Sequence, residues 1–131
     1  MIINKGPAPG FVNYPNHKIR ITLADNRWIV RANNEAIADS SRAKVVEETG
    51  YDSVIYFPAA DVSTELLVLT DGRTTCPFKG EARYFAQIGS NNDQPIAWTY
   101  PSVFDEVAPL KGYIAFYENR IELVQEIHQG N

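Results

Sequence analysis

Short runs that alternate apolar with polar residues, each closed by Gly, Pro, Asn or Asp, constrain this chain more than any other feature. Side chains on a strand alternate faces, so this period of two marks half-buried strands. The run 18–23 places Ile19, Ile21 and Leu23 on one face, and Ala24-Asp25-Asn26 predicts a turn into a returning strand over 27–32. Asn33-Asn34 is a second turn signal. The stretch 37–49 fits a helix capped at Ser40 or Ser41, but the alternation of Ala43, Val45 and Glu47 favours a strand. The run 53–57 is β-branched and aromatic and stops at Pro58. Beyond it the sequence predicts a helical turn and a short strand over 61–69, then a turn at Asp71-Gly72.

Further strands are predicted over 81–88 and 96–100, with Ile96, Trp98 and Tyr100 on one face and Tyr113 and Tyr117 on another. Ser102 with Asp105 fits a capping box opening a short helix that Pro109 ends. The runs 111–117 and 120–125 predict a hairpin across Glu118-Asn119. About eight short strands with regular turn signals define an all-β sandwich, barrel or bent sheet. The expected organisation is an irregular arm over 1–16, rich in Gly and Pro, one β domain over 17–127, and a polar tail over 128–131 holding His128.

At 131 residues and 44% hydrophobic content, one such domain buries an ordinary core without disulfide or metal. A net charge of −4 with no Lys/Arg run argues against nucleic acid as a partner. The single cysteine, Cys76, excludes an internal disulfide and multi-thiolate zinc sites, and no metal or cofactor is expected. The N-terminus lacks a signal-peptide apolar core, and no apolar stretch is long enough for a membrane helix. The expected location is therefore a reducing cytoplasm, with no membrane partner. Free strand edges are compatible with a dimer.

The densest chemistry lies in TTCPFKG, residues 74–80. A cysteine acts as a nucleophile only as thiolate, which needs a nearby cation. Lys79, three residues on, can supply it if the loop curls, with Glu47 or His17 as proton carrier. Against this stands the common fate of a lone cysteine, which packs as a small buried apolar group.

The strings IADSSRAKVVEE, VIYFPAADV, TTCPFKGEARYF, IAWTYPS and KGYIAFY resemble domain-of-unknown-function family 427, over about residues 17–117. That family is also filed as nucleotidyltransferase-like. The resemblance implies a compact bent sheet of the β-tent kind, mainly β with one or two short helices. Better-known β-tent members hold zinc through paired CxxC motifs, which this chain lacks. No glycine-rich phosphate loop and no Asp-x-Asp supports nucleotidyl transfer.

The resemblance singles out Arg42, Glu47, Asp61, Cys76, Lys79, Tyr84, Trp98, Tyr100 and Tyr117 among others. Aromatics with polar tips suit a pocket that stacks a planar ligand and bonds its edge, and equally suit a core with satisfied hydroxyls. Asp61 after Pro58 fits a structural cap more readily than a functional carboxylate. The leading expectation is a small-molecule binding domain whose pocket is lined by Trp98, Tyr84, Tyr100 and Tyr117, with Cys76 and Lys79 at its rim and Arg42, Asp61 and His17 as further ligand contacts. An enzyme using Cys76 as nucleophile with Lys79, and a protein-interaction module, are the alternatives.

Overall fold

The computed structural model describes residues 6–90 and 93–127, so the tail 128–131 with His128, part of the arm and part of the loop at 89–93 lie outside the described residues. A single helical turn, α1 (Gly10–Asn13), precedes ten strands. These are β1 (Ile19–Leu23), β2 (Arg27–Ala32), β3 (Glu35–Ser40), β4 (Lys44–Glu48), β5 (Val54–Pro58), β6 (Leu67–Cys76), β7 (Gly80–Gln87), β8 (Ala97–Thr99), β9 (Tyr113–Phe116) and β10 (Glu122–Glu126). Short 3-10 turns fill Ala59–Asp61, Thr64–Leu66 and Asp105–Leu110. The fold is mainly β and open: a seven-stranded antiparallel sheet in the order β1-β4-β5-β9-β8-β7-β6 and a three-stranded sheet in the order β10-β2-β3. It is not a closed barrel.

Alternation along the central strands gives the large sheet two apolar faces. Phe57, Ile114 and Phe116 turn one way, with Ala97 and the partly buried Phe85, and meet Val30, Ile37 and Ala38 of the small sheet. Tyr56, Ala115 and Ala82 turn the other way, with Trp98 and Tyr84, and pack under Val103, Val107 and Leu110. Burying each large side chain such as Phe57 is worth about 1.5–3 kcal/mol. The second face is only partly covered by the segment 102–110, and the remainder is where the pocket opens.

Several pairings differ from the sequence reading. The predicted β1–β2 hairpin does not form, because β1 pairs with β4 while β2 crosses to the small sheet between β3 and β10. Asn26, at φ 73°, turns the chain between sheets rather than within one. Asn33 and Asn34, both at positive φ, do make the β2–β3 hairpin. Asp71-Gly72 is no turn: Leu69 faces Phe85 and Arg73 faces Arg83, so residues 70–72 bulge opposite Tyr84 inside β6. The predicted 111–125 hairpin separates likewise, β9 lying between β5 and β8 and β10 joining β2. Ser102 does not cap the 105–110 segment, whose preceding residue is Phe104 and which contains Pro109 within it.

Candidate functional site

The string 74–80 is a hairpin tip. Thr74–Cys76 end β6, Cys76 faces Gly80, and Pro77, Phe78 and Lys79 make a three-residue connection. Two backbone bonds hold the tip from opposite sides: Gly10 N–H donates to the Pro77 carbonyl at 3.0 Å, and Phe104 N–H to the Lys79 carbonyl at 3.0 Å. Gly80 sits at φ +137° with its α-carbon against the backbone at Ser102, a place where no side chain fits. Lys79, held this way, runs inward.

It meets Glu48 at the end of β4. Lys79 Nζ donates to Glu48 Oε1, and His17 Nε2 bonds Glu48 Oε2 at 2.8 Å. All three side chains are shielded, at 9% exposure for Lys79, 12% for Glu48 and 14% for His17. The imidazole also stacks on Phe78, with centroids 3.9 Å apart and planes 19° off parallel. Phe78 in turn takes the edge of Phe11 from the arm at 5.0 Å. The arm therefore supports Phe78 from outside the lining.

Next to this cluster the aromatic side chains converge. Trp98 Nε1 donates to Tyr56 Oη at 3.2 Å, and the two rings stand 88° to one another. Tyr117 lies 4.8 Å from Trp98, and the Arg120 guanidinium lies over the Tyr117 ring at 4.7 Å. Tyr84 Oη shares a 2.6 Å bond with Thr74 Oγ1. Burial pushes the phenols of Tyr56 and Tyr100 well above their ordinary value, and the nearby negative charge of Glu48 adds to it. The Tyr117 phenol is raised too, by burial first and Tyr84 second.

The charge cluster, Phe78, Tyr56, Tyr84, Trp98, Tyr100 and Tyr117 line one pocket of about 670 Å³. Of the residues expected at a site, it brings together Cys76, Lys79, Tyr84, Trp98, Tyr100, Tyr117 and His17. Cys76 is partly exposed there rather than sealed in hydrocarbon. Tyr113 and Tyr117 are not on a separate face from Trp98, since Tyr113 packs against the same cluster and Tyr117 against Trp98 itself. Ile96, by contrast, leaves Trp98 and Tyr100 and joins the opposite core.

Three expected residues lie elsewhere. Glu47 is exposed and pairs with Arg20 across β1 and β4 at 3.3 Å. Strand parity is the reason: Val46 and Glu48 point to the pocket side, so Glu47 points away. Arg42 and Asp61 form their own clamp, with Arg42 Nη2 at 2.9 Å from Asp61 Oδ1 and Ser40 Oγ donating to Asp61 Oδ2 at 2.6 Å. Those bonds hold the Asp61 carboxyl below its ordinary value, the Arg42 bond most strongly. The clamp ties the end of β3 to the turn after Pro58 and touches no part of the pocket.

Sequence reasoning missed Glu48, Tyr56 and Phe78. Glu48 stood two residues beyond the apolar Val46, and that spacing is the signal that would have found it. Among the described residues no group of three or more His, Cys, Asp or Glu side chains is placed to hold a metal ion, and no helix is long and apolar enough to cross a membrane.

Fold and pocket together define a small two-sheet β domain with an aromatic-walled cavity and a shielded Lys-Glu-His cluster at one end. The chain belongs to the family described as domain of unknown function DUF427, whose model matches residues 20–127. Glu48, Lys79 and the ring residues fall within that match, whereas His17 precedes it. No curated protein matches the chain with significance.

Proposed function

We propose that this domain binds a small planar molecule in the pocket between Trp98 and Lys79. One observation carries the reading: Tyr56, Tyr84, Tyr100, Trp98 and Tyr117 converge on the cavity that also receives Cys76 and Lys79. Ligand pockets of about 300–1,000 Å³ with apolar walls and a few directed polar groups are the usual form of such sites. Here rings supply the walls and the Lys79–Glu48–His17 cluster supplies direction. The thiol of Cys76 suits a reducing compartment such as the cytoplasm, where it stays free.

Tryptophan fluorescence tests the reading. The chain has two tryptophans, and Trp28 lies in the small sheet with its indole N–H on the Asp25 carbonyl. A Trp28→Phe variant leaves the signal to Trp98. Saturable quenching or a spectral shift is expected with at least one member of a panel of nucleotides, cyclic imides and aromatic acids and amides. Silence across the panel sinks the proposal.

A thiol enzyme is the second reading, favoured because Cys76 faces the same cavity as Lys79 and His17. It ranks behind because both of those side chains are turned onto Glu48. If Cys76 is a nucleophile, iodoacetamide labelling of the native protein proceeds at neutral pH and a bound ligand slows it. A thiol that stays inert until about pH 9 removes this reading. The interaction-module alternative has the least support, since the exposed Leu23 and Leu69 lie on β1 and β6, the two opposite edges of the large sheet.

A further inference from the structure

We infer that the planar ligand is uncharged and carries a carbonyl and an N–H side by side on one edge, as an unsubstituted amide or a cyclic imide does, and that this edge pairs with Lys79 and Glu48. The inference rests on the small-molecule reading and adds the chemical class of the ligand. It follows from the charge and the hydrogen-bonding capacity of the ion pair in the pocket wall.

Charge comes first. The Lys79 ammonium is already matched by the Glu48 carboxylate, and no other Lys or Arg lines the pocket among the described residues. Burial holds the phenols of Tyr56 and Tyr100 protonated through the neutral range, so those rings add no charge. Asp52 is the other acid of the lining, and it is exposed, where water and salt screen it. A guest anion would meet Glu48 with no cation left to balance it, and a guest cation would meet the ammonium of Lys79. Taking an unmatched charge out of water is costly, and a neutral guest avoids that cost.

Hydrogen bonding then selects among neutral guests. An ammonium has three N–H groups, and Glu48 takes one of those on Lys79. A carboxylate offers about four lone pairs, of which Lys79 takes one at Oε1 and His17 one at Oε2. The pair therefore keeps donors and acceptors in reserve next to one another, and both residues line the cavity. A guest with acceptors alone leaves Glu48 unmatched, and one with donors alone leaves Lys79 unmatched. A carbonyl beside an N–H answers both. Its oxygen accepts from Lys79 and its N–H donates to Glu48, and each of these bonds is charge-assisted.

The rings suit the same group. Tyr84, Trp98 and Tyr117 line the cavity that Lys79 and Glu48 enter, and Trp98 and Tyr117 stand 4.8 Å apart. An amide is flat, so an amide on an aromatic ring can lie against these walls while its edge reaches the ion pair.

Four probes of similar shape test this by ligand-observed NMR titration: benzamide, benzoate, benzamidinium and N-methylbenzamide. In the last, the methyl group takes the place beside the carbonyl that an N–H holds in benzamide. The native protein is expected to bind benzamide at least about 10-fold more tightly than each of the others, the scale of one hydrogen bond to a charged group. A Glu48→Leu/Lys79→Met double variant removes donor and acceptor together and leaves neither charge without its partner. In it the preference for benzamide over N-methylbenzamide is expected to fall to parity. The ranking in the native protein remains a test by itself if the variant folds poorly. Benzoate, benzamidinium or N-methylbenzamide binding the native protein as tightly as benzamide overturns the inference and leaves the small-molecule reading standing. A preference that survives in the double variant overturns it likewise. If none of the four binds, the inference is overturned, and the Trp98 fluorescence panel decides whether the reading beneath it falls too.

Discussion

Replacing Gly80 with alanine is expected to cost about 3 kcal/mol of stability, and a Tm lower by roughly 10 °C. Two effects add at this position. The backbone stands at φ +137°, in a region that side chains with a β-carbon rarely adopt, and such strain costs about 1–3 kcal/mol. A β-carbon would also lie 2.7 Å from the Ser102 carbonyl oxygen, and that neighbour is backbone, which yields little. Gly112→Ala is the control. Its φ is +80° but nothing lies within 4 Å of the added carbon, so only the conformational cost of about 1 kcal/mol is expected. Urea denaturation of the two variants separates strain from contact. If Gly80→Ala loses no more than Gly112→Ala, the close approach of the hairpin to the 102–104 segment is not a constraint.

That approach is what aims Lys79. The bridge from Gly80 to Val103 and the bond from Phe104 to the Lys79 carbonyl fix the hairpin tip on the buried segment below it. A shift at Gly80 therefore moves the ammonium away from Glu48 and Cys76 within the pocket wall. Affinity for the proposed ligand is expected to fall with stability, even though Gly80 does not line the cavity.

Strands were legible in the sequence because their signal is local. Alternation places Ile19 and Ile21, and β-branched and aromatic content marks the strand ending at Pro58, without knowledge of any partner. Partners were not legible, because the bonds that choose them run between distant residues. Nothing near Ala24-Asp25-Asn26 states that β2 will leave β1 for β10, almost a hundred residues on. Asp71-Gly72 carries the composition of a turn, but the cross-strand pairs on both sides of it hold, so the extra residues are absorbed as a bulge.

The site was half legible for the same reason. Cys76 and Lys79 stood out in the string TTCPFKG, Trp98 and the tyrosines through the family resemblance, and the fold gathers them. Glu47 and Glu48 are adjacent and chemically alike, so only the parity of β4 distinguishes the surface ion pair from the pocket carboxylate. Nothing in the run 53–57 marks Tyr56 as a site residue, and its hydroxyl becomes informative only beside Trp98. Arg42 and Asp61 carry the charges of a site, but bond to each other and to Ser40 instead.

The shielded charge cluster leads to the second large effect. Glu48→Leu removes the acceptor of both Lys79 and His17 and is expected to cost about 3 kcal/mol, because an ammonium left at 9% exposure has lost water without gaining a partner. Breaking a buried ion pair is costly, whereas replacing both members with apolar residues of similar size is often neutral. The Glu48→Leu/Lys79→Met double variant is therefore expected to regain most of the loss, leaving a coupling energy of about 2 kcal/mol in a double-mutant cycle read by urea denaturation. An exposed pair gives less than about 1 kcal/mol in the same cycle. Additive costs would mean that water reaches Lys79 and Glu48 freely through the pocket. Strong coupling would mean that the pair is held dry, and a domain that recovers its stability without the pair does not need it for folding. The two charges at that depth would then be free to serve the ligand of the proposed function.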